Sequence, residues 1–187
     1  MQTTFPRLML EHAASRPTAP AMREKEYGIW QAMDWAALAQ LVESLACGLH
    51  QAGLHRGEHL IVVGSNRPRL YATMLAAQSL GAIPVPLYQD AAAAECVFPI
   101  TNAEVRFCVV EDQEQVDKML EVREQCPQLT HIYFDDPRGL RKYTEDGLGS
   151  LQELIAAGAV FAAQHPQFYA DEVAQAQATD VAAMFFT

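Results

Sequence analysis

The sequence predicts an α/β fold, a mostly parallel sheet flanked by helices. Three observations predict it. Short apolar runs recur along the chain at His59–Gly64, Ile83–Leu87, Val105–Val110 and His131–Phe134. Stretches with apolar residues at helical period, about ten to fifteen residues long, separate them and point to βαβ units. Half of the 187 residues are hydrophobic and 19% are charged, a composition that fills a globular core.

Residues 1–34 read as a lead-in. Phe5 to Ser15 forms a short helix with Phe5, Leu8, Met9 and His12 on one side, and Pro17 and Pro20 end it. Ala21 to Asp34 reads as a β-hairpin turning near Gly28.

Residues 35–155 read as the βαβ core. Asp34 caps a helix whose stripe is Leu38, Leu41, Val42, Leu45 and Leu49, with Gly53 as its C′ stop. Gly57 turns the chain into the strand that begins at His59. Pro68 opens a helix carrying Leu70, Met74, Ala77 and Leu80, which Gly81 stops. The prolines in Ile83–Leu87 suggest a sheet edge or a strand end. Val105–Val110 is the third strand. Asp112 and Gln115 resemble a capping box, and their helix carries Val116, Met119 and Leu120 before Pro127. His131–Phe134 is the fourth strand and ends in a turn at Asp135–Gly139. Ser150 and Glu153 resemble a second capping box, and Gly158 is expected to stop that helix.

Residues 156–187 read as a helical connection followed by a strand over Val181–Phe186. An apolar strand at the end of a chain is unusual, because termini are commonly exposed and polar. Ligands in doubly wound folds sit just beyond the carboxyl ends of strands. The chain therefore reads as cut where a functional loop begins, a piece of a larger enzyme.

Lys plus Arg number 13 and Asp plus Glu 23, a net charge of −10. That excludes the basic footprint of a nucleic-acid binder and an electrostatic grip on anionic lipid. Cys47, Cys96, Cys108 and Cys126 form no C-x-x-C pattern and read as reduced core thiols in a cytoplasmic protein. No secretory signal is read at the N-terminus. Leu70–Gln89 is uncharged and long enough to span a bilayer, but Gly81, Pro84 and Pro86 divide it into a short helix and a short strand.

Few residues carry chemistry by themselves. His50, His55 and His59 fall on a helix end, a turn and a strand start, so no face gathers them around a metal. Asp135 and Asp136 read as turn residues and Cys108 as a strand residue without a base. Glu111–Asp117 reads as the solvated first turns of a helix. Gly64-Ser-Asn66 lies between a strand and a helix, at a ligand-competent edge, and a plain turn is its simpler reading.

Taken in order, several segments resemble the start of an adenylate-forming (AMP-binding) enzyme, in particular a long-chain fatty acid–CoA ligase, or acyl-CoA synthetase. They are Met33-Asp34-Trp35, Gly48–Gly57, Asn66-Arg67-Pro68, Ser79-Leu-Gly-Ala-Ile-Pro-Val-Pro-Leu-Tyr88, Val109–Lys118 and Asp180-Val-Ala-Ala-Met-Phe-Phe-Thr187. The last resembles the strand that enters the family's Thr-Ser-Gly-Thr-Thr-Gly phosphate loop. The resemblance implies a partial N-terminal domain spanning 1–187, with Phe186 and Thr187 at the start of a truncated ATP phosphate loop. It implies ATP, Mg2+ and CoA as cofactors of the full-length enzyme, a fatty acid as its substrate, and catalytic and metal residues beyond residue 187. One residue of that loop cannot form its nest of N–H groups. The piece itself is therefore expected to be inactive, to bind no cofactor, and to self-associate through the apolar residues 181–187. Other adenylating ligases (short-acyl, aryl or peptide-synthetase) and a free-standing flavodoxin-like binding module are the alternatives.

Overall fold

A computed structural model describes residues 3–186. The chain opens with α1 (Phe5–Ser15), and Pro6 and Met9 are its buried residues. Phe5, expected on the buried side, is 58% exposed. A hairpin follows, β1 (Pro20–Glu26) and β2 (Ile29–Asp34). Tyr27 and Gly28 turn it with φ of 48° and 82°, the pair of left-handed residues that matches strand twist in a two-residue hairpin. Asp34 Oδ1 accepts from the Ala37 N–H at 2.8 Å and caps α2 (Trp35–Gln51).

The main layers come next: β3 (His59–Val63), α3 (Pro68–Ser79), β4 (Ile83–Leu87), α4 (Ala93–Asn102), β5 (Phe107–Val110), α5 (Gln113–Val122) and β6 (His131–Phe134). The three-residue β7 (Leu148–Ser150), α6 (Leu151–Gln164) and α7 (Phe168–Gln175) complete the described elements. Neither α4 nor β7 is legible in the sequence. Pro99 lies inside α4 and obscures its periodicity. β7 is too short to carry a pattern.

The sheet order is β4-β3-β5-β6-β7, and every pair in it is parallel. Alternation sends β3 and β5 side chains into two cores. Leu60, Val62, Phe107 and Val109 meet α2, α3, α6 and α7 on one face. Ile61, Val63, Cys108 and Val110 meet α4 and α5 on the other. Strands buried on both faces read as continuous apolar runs, as these do. The chain moves from β3 outward to β4, then returns across β3 to β5. The carboxyl ends of β3 and β5 therefore form the switch point at which open α/β sheets take ligands.

Three expectations need correction. Gly158 does not stop α6 but lies inside it, pressed against α2. Gln115 donates its backbone N–H to Asp112 Oδ1 at 3.3 Å, yet its side-chain Oε1 is buried without a partner, so the reciprocal half of the capping box is not made.

The third correction concerns Val181–Phe186, which is not a strand. This segment runs beside the outer edge of β4 and makes one ladder-like bond, Met184 N–H to Pro84 O at 3.0 Å. The prolines of β4 explain why. Val85 pairs inward with β3, and Pro84 and Pro86 present carbonyls outward with no N–H to donate. In a parallel ladder the N–H of residue 84 would go to Ala182 O. Gln78 Nε2 takes that oxygen instead, at 2.6 Å.

Candidate functional site

The site is built at the switch point by the loop after β3 and by the residue that follows β5. β3 ends at Val63, and Gly64 turns the chain away from the sheet. A Cβ on Gly64 would lie 2.7 Å from Glu111 Cβ and 2.9 Å from Glu111 Oε2, so only glycine permits the approach. Ser65 then donates its N–H to Glu111 Oε2 at 2.5 Å and its hydroxyl to the same oxygen at 2.6 Å. Arg67 Nε donates to Glu111 Oε1 at 2.8 Å, and its Nη1 reaches Glu24 Oε2 on β1 at 3.2 Å. The Glu111 backbone is fixed as well, its N–H on Val63 O at 2.9 Å and its carbonyl accepting from Asp136 N–H at 2.7 Å.

Burial raises the Glu111 carboxyl, and the hydrogen bonds from Ser65 and Arg67 outweigh it, so the group sits below the usual carboxylate range. Glu111 is thus a held carboxylate and not part of a solvated first turn. The sequence reading missed Glu111, Arg67 and Glu24 as a set. The signal that could have found Glu111 is its position directly after an apolar strand, at the edge where Gly64-Ser-Asn66 already stood out.

Beside this cluster, a groove of about 620 Å³ lies along the carboxyl ends of β3 and β4, lined in part by Ser65, Tyr71, Met74, Tyr88, Phe185 and Phe186. Phe186 packs edge-on against Phe98, ring centroids 5.8 Å apart. Phe185 is 69% exposed. Thr187, the other expected site residue, lies outside the described residues.

The remaining candidates are dispersed. His50 packs against Phe168 at 4.4 Å, and His59 Nε2 is buried without a partner. Asp135 pairs with Arg69 at 2.7 Å, and Asp136 pairs with Arg138. Cys108 is fully buried, which pushes its thiol well above the ordinary value.

These residues do not fit ATP with Mg2+. The Ser65 N–H and hydroxyl and the Arg67 guanidinium are already on the Glu111 carboxylate, which would repel a phosphate. Among the described residues no three His, Cys, Asp or Glu gather to hold a metal ion. Nor is any of their helices long and apolar enough to cross a membrane.

Comparison with known proteins agrees with the fold. A long-chain-fatty-acid–CoA ligase of Homo sapiens is 26% identical over 119 residues, 64% of this chain and 18% of that protein. One of Mycobacterium bovis is 21% identical over 180 residues, 96% of this chain and 28% of its own. The chain thus spans less than a third of the length of these curated relatives. The solved structure of an acetoacetyl-CoA synthetase from Streptomyces lividans superposes with a TM-score of 0.72 at 23% identity, over 81% of this chain and 25% of that one. The family model for AMP-binding enzymes matches residues 9–187, nearly the whole sequence, and with the parallel sheet and its switch point it establishes that this chain belongs to the AMP-binding, adenylate-forming enzyme family.

Proposed function

We propose that this chain supplies the first sheet of a long-chain fatty acid–CoA ligase. In that reaction a fatty carboxylate attacks the α-phosphate of ATP, pyrophosphate leaves, and the CoA thiol takes the acyl group from the adenylate. The observation that carries the reading is the family match over residues 9–187, together with the relatives' own names as long-chain ligases. The role of residues 1–187 in this reading is scaffold. β3, β4 and β5 hold a rigid carboxyl edge, and the groove beside Tyr88 and Phe186 forms one wall near the place where the phosphate loop would begin. Because its own donors are turned onto Glu111, the chain by itself is proposed not to adenylate.

Pyrophosphate exchange tests this. The 187-residue chain with ATP, Mg2+ and palmitate is expected to show no exchange. A longer product of the same gene, extended past residue 187, is expected to exchange with fatty acids of medium to long chain. Exchange by the 187-residue chain would refute the scaffold role. Exchange by the longer product with only aryl acids or amino acids would assign a different adenylating ligase.

A further inference from the structure

The β1–β2 hairpin rests on the core through Ala21, Met22 and Met33, which are half-buried against it. None of its residues is fully buried. At its base, Trp35 N–H donates to Ala19 O at 3.1 Å and Ala36 N–H to Pro17 O at 3.0 Å. Along its length, Glu24 holds Arg67. At its tip, Tyr27 is exposed. Asp136, in the loop after β6, donates its N–H to the Glu111 carbonyl. Through Glu24 and Arg67 the hairpin is therefore joined to the loop after β3, beside the carboxyl end of the sheet.

We propose that the β1–β2 hairpin is a strap over the switch point, latched by Arg67 bridging Glu24 and Glu111. Arg67 is suited to this by geometry, because its planar fork donates from Nε to one carboxylate and from Nη1 to the other. A lysine presents a single point and cannot hold both in that way. Glu111 is the fixed half of the latch, held by Ser65 and by its own backbone bonds. Glu24 is the moving half. Arg67 is 42% exposed, so its pairs are screened and open readily. Opening frees Arg67 Nη1 from Glu24 while Arg67 Nε and Ser65 stay on Glu111, at the place where this sheet would meet a ligand. A two-stranded hairpin released from its support is marginally stable, so a free strap frays.

Hydrogen exchange read by mass spectrometry on the full chain tests the latch. Glu24→Gln and Arg67→Ala are expected to speed exchange of hairpin amides 22–33 by about two- to five-fold, the scale of one exposed ion pair, while β3 and β5 keep wild-type rates. Arg67→Lys should behave as Arg67→Ala. The wild type in 1 M NaCl should show the same hairpin-confined acceleration relative to 0.05 M, a measurement that needs no variant to fold. Unchanged hairpin exchange in Glu24→Gln and in high salt would overturn the proposal. So would an equal acceleration in β3 and β5, which would mean that the pairs support the whole fold and not a strap.

Discussion

Gly158 of α6 lies against the Ser44 carbonyl of α2 so closely that a Cβ on Gly158 would overlap that oxygen. The contact is mutual, because a Cβ on Gly48 of α2 would overlap the Leu154 carbonyl of α6. The two helices pack backbone to backbone, and a main-chain carbonyl cannot rotate aside as a flexible side chain can. This close crossing brings α6 onto the helical layer that covers β3 and β5.

Gly158→Ala is therefore expected to destabilise the fold. Alanine gains about 1 kcal/mol of helix propensity, but overpacking here costs more, about 1–3 kcal/mol net. Thermal melting should fall by about 2–4 °C for each kcal/mol lost in a domain of this size. A melting temperature equal to or above wild type would show that α2 and α6 can part at no cost.

Stability should fall with acid in two steps. His131 titrates below its ordinary value because of burial first, then Arg106 and Arg123. Its neutral form is favoured in the folded state, so this stability is present above about pH 6.5 and is lost as pH falls through the lower folded value. Glu111 is also lowered, so its contribution is present above about pH 4.5 and is lost as pH falls through its folded value. Urea midpoints measured from pH 8 to pH 3 should show both steps. His131→Asn should flatten the upper one and Glu111→Gln the lower one. Profiles that match wild type in both variants would remove these groups from the linkage.

The Tyr169 hydroxyl pairs with Ser79 Oγ at 3.1 Å in a buried setting and pins α7 to α3. Burial pushes the phenol up to about 12. Tyr169→Phe should cost about 1 kcal/mol, the net worth of one such hydrogen bond, because Ser79 keeps its bond to the Leu75 carbonyl. In ultraviolet pH titration one tyrosine should ionise near pH 12 or on unfolding, and that step should vanish in the variant.

All four cysteines are buried. Burial, with a smaller push from Glu43, raises Cys47 to about 11, and burial raises Cys96 and Cys108. Thiolates are the reactive form. Native protein at pH 8 should therefore react slowly with a disulfide reagent, and four thiols should appear only after unfolding. Fast stoichiometric labelling of the native state would contradict the burial.

Val181 and Phe185 stand 55% and 69% exposed beside a β4 edge whose outward prolines offer carbonyls alone. Exposed apolar side chains beside a sheet edge favour association. Light scattering is expected to show self-association that Phe185→Ser weakens. A monomer at high concentration would count against it.

The local elements are legible in the order of the residues. Asp34 and Ser150 caps, Gly53 and Gly81 stops and the apolar runs of β3 to β6 follow from φ, ψ preference and periodicity, and each lies where its residues predict. The prolines of β4 suggested an edge or a strand end, and the sheet order places β4 at the edge. Tertiary structure decided what depends on residues far apart in the chain. Gly158 has the composition of a helix stop, and only the approach of α2 shows that it is a packing glycine. Val181–Phe186 has the pattern of a strand, but the neighbouring β4 prolines offer it no N–H groups, and it makes a single bond to that edge. Glu111 looks like one more acid in a helix start. It becomes the centre of the site because the switch in strand order brings Ser65, 46 residues away, onto its carboxylate. Local patterns depend on bonds within a few residues, whereas the site depends on which strand lies next to which.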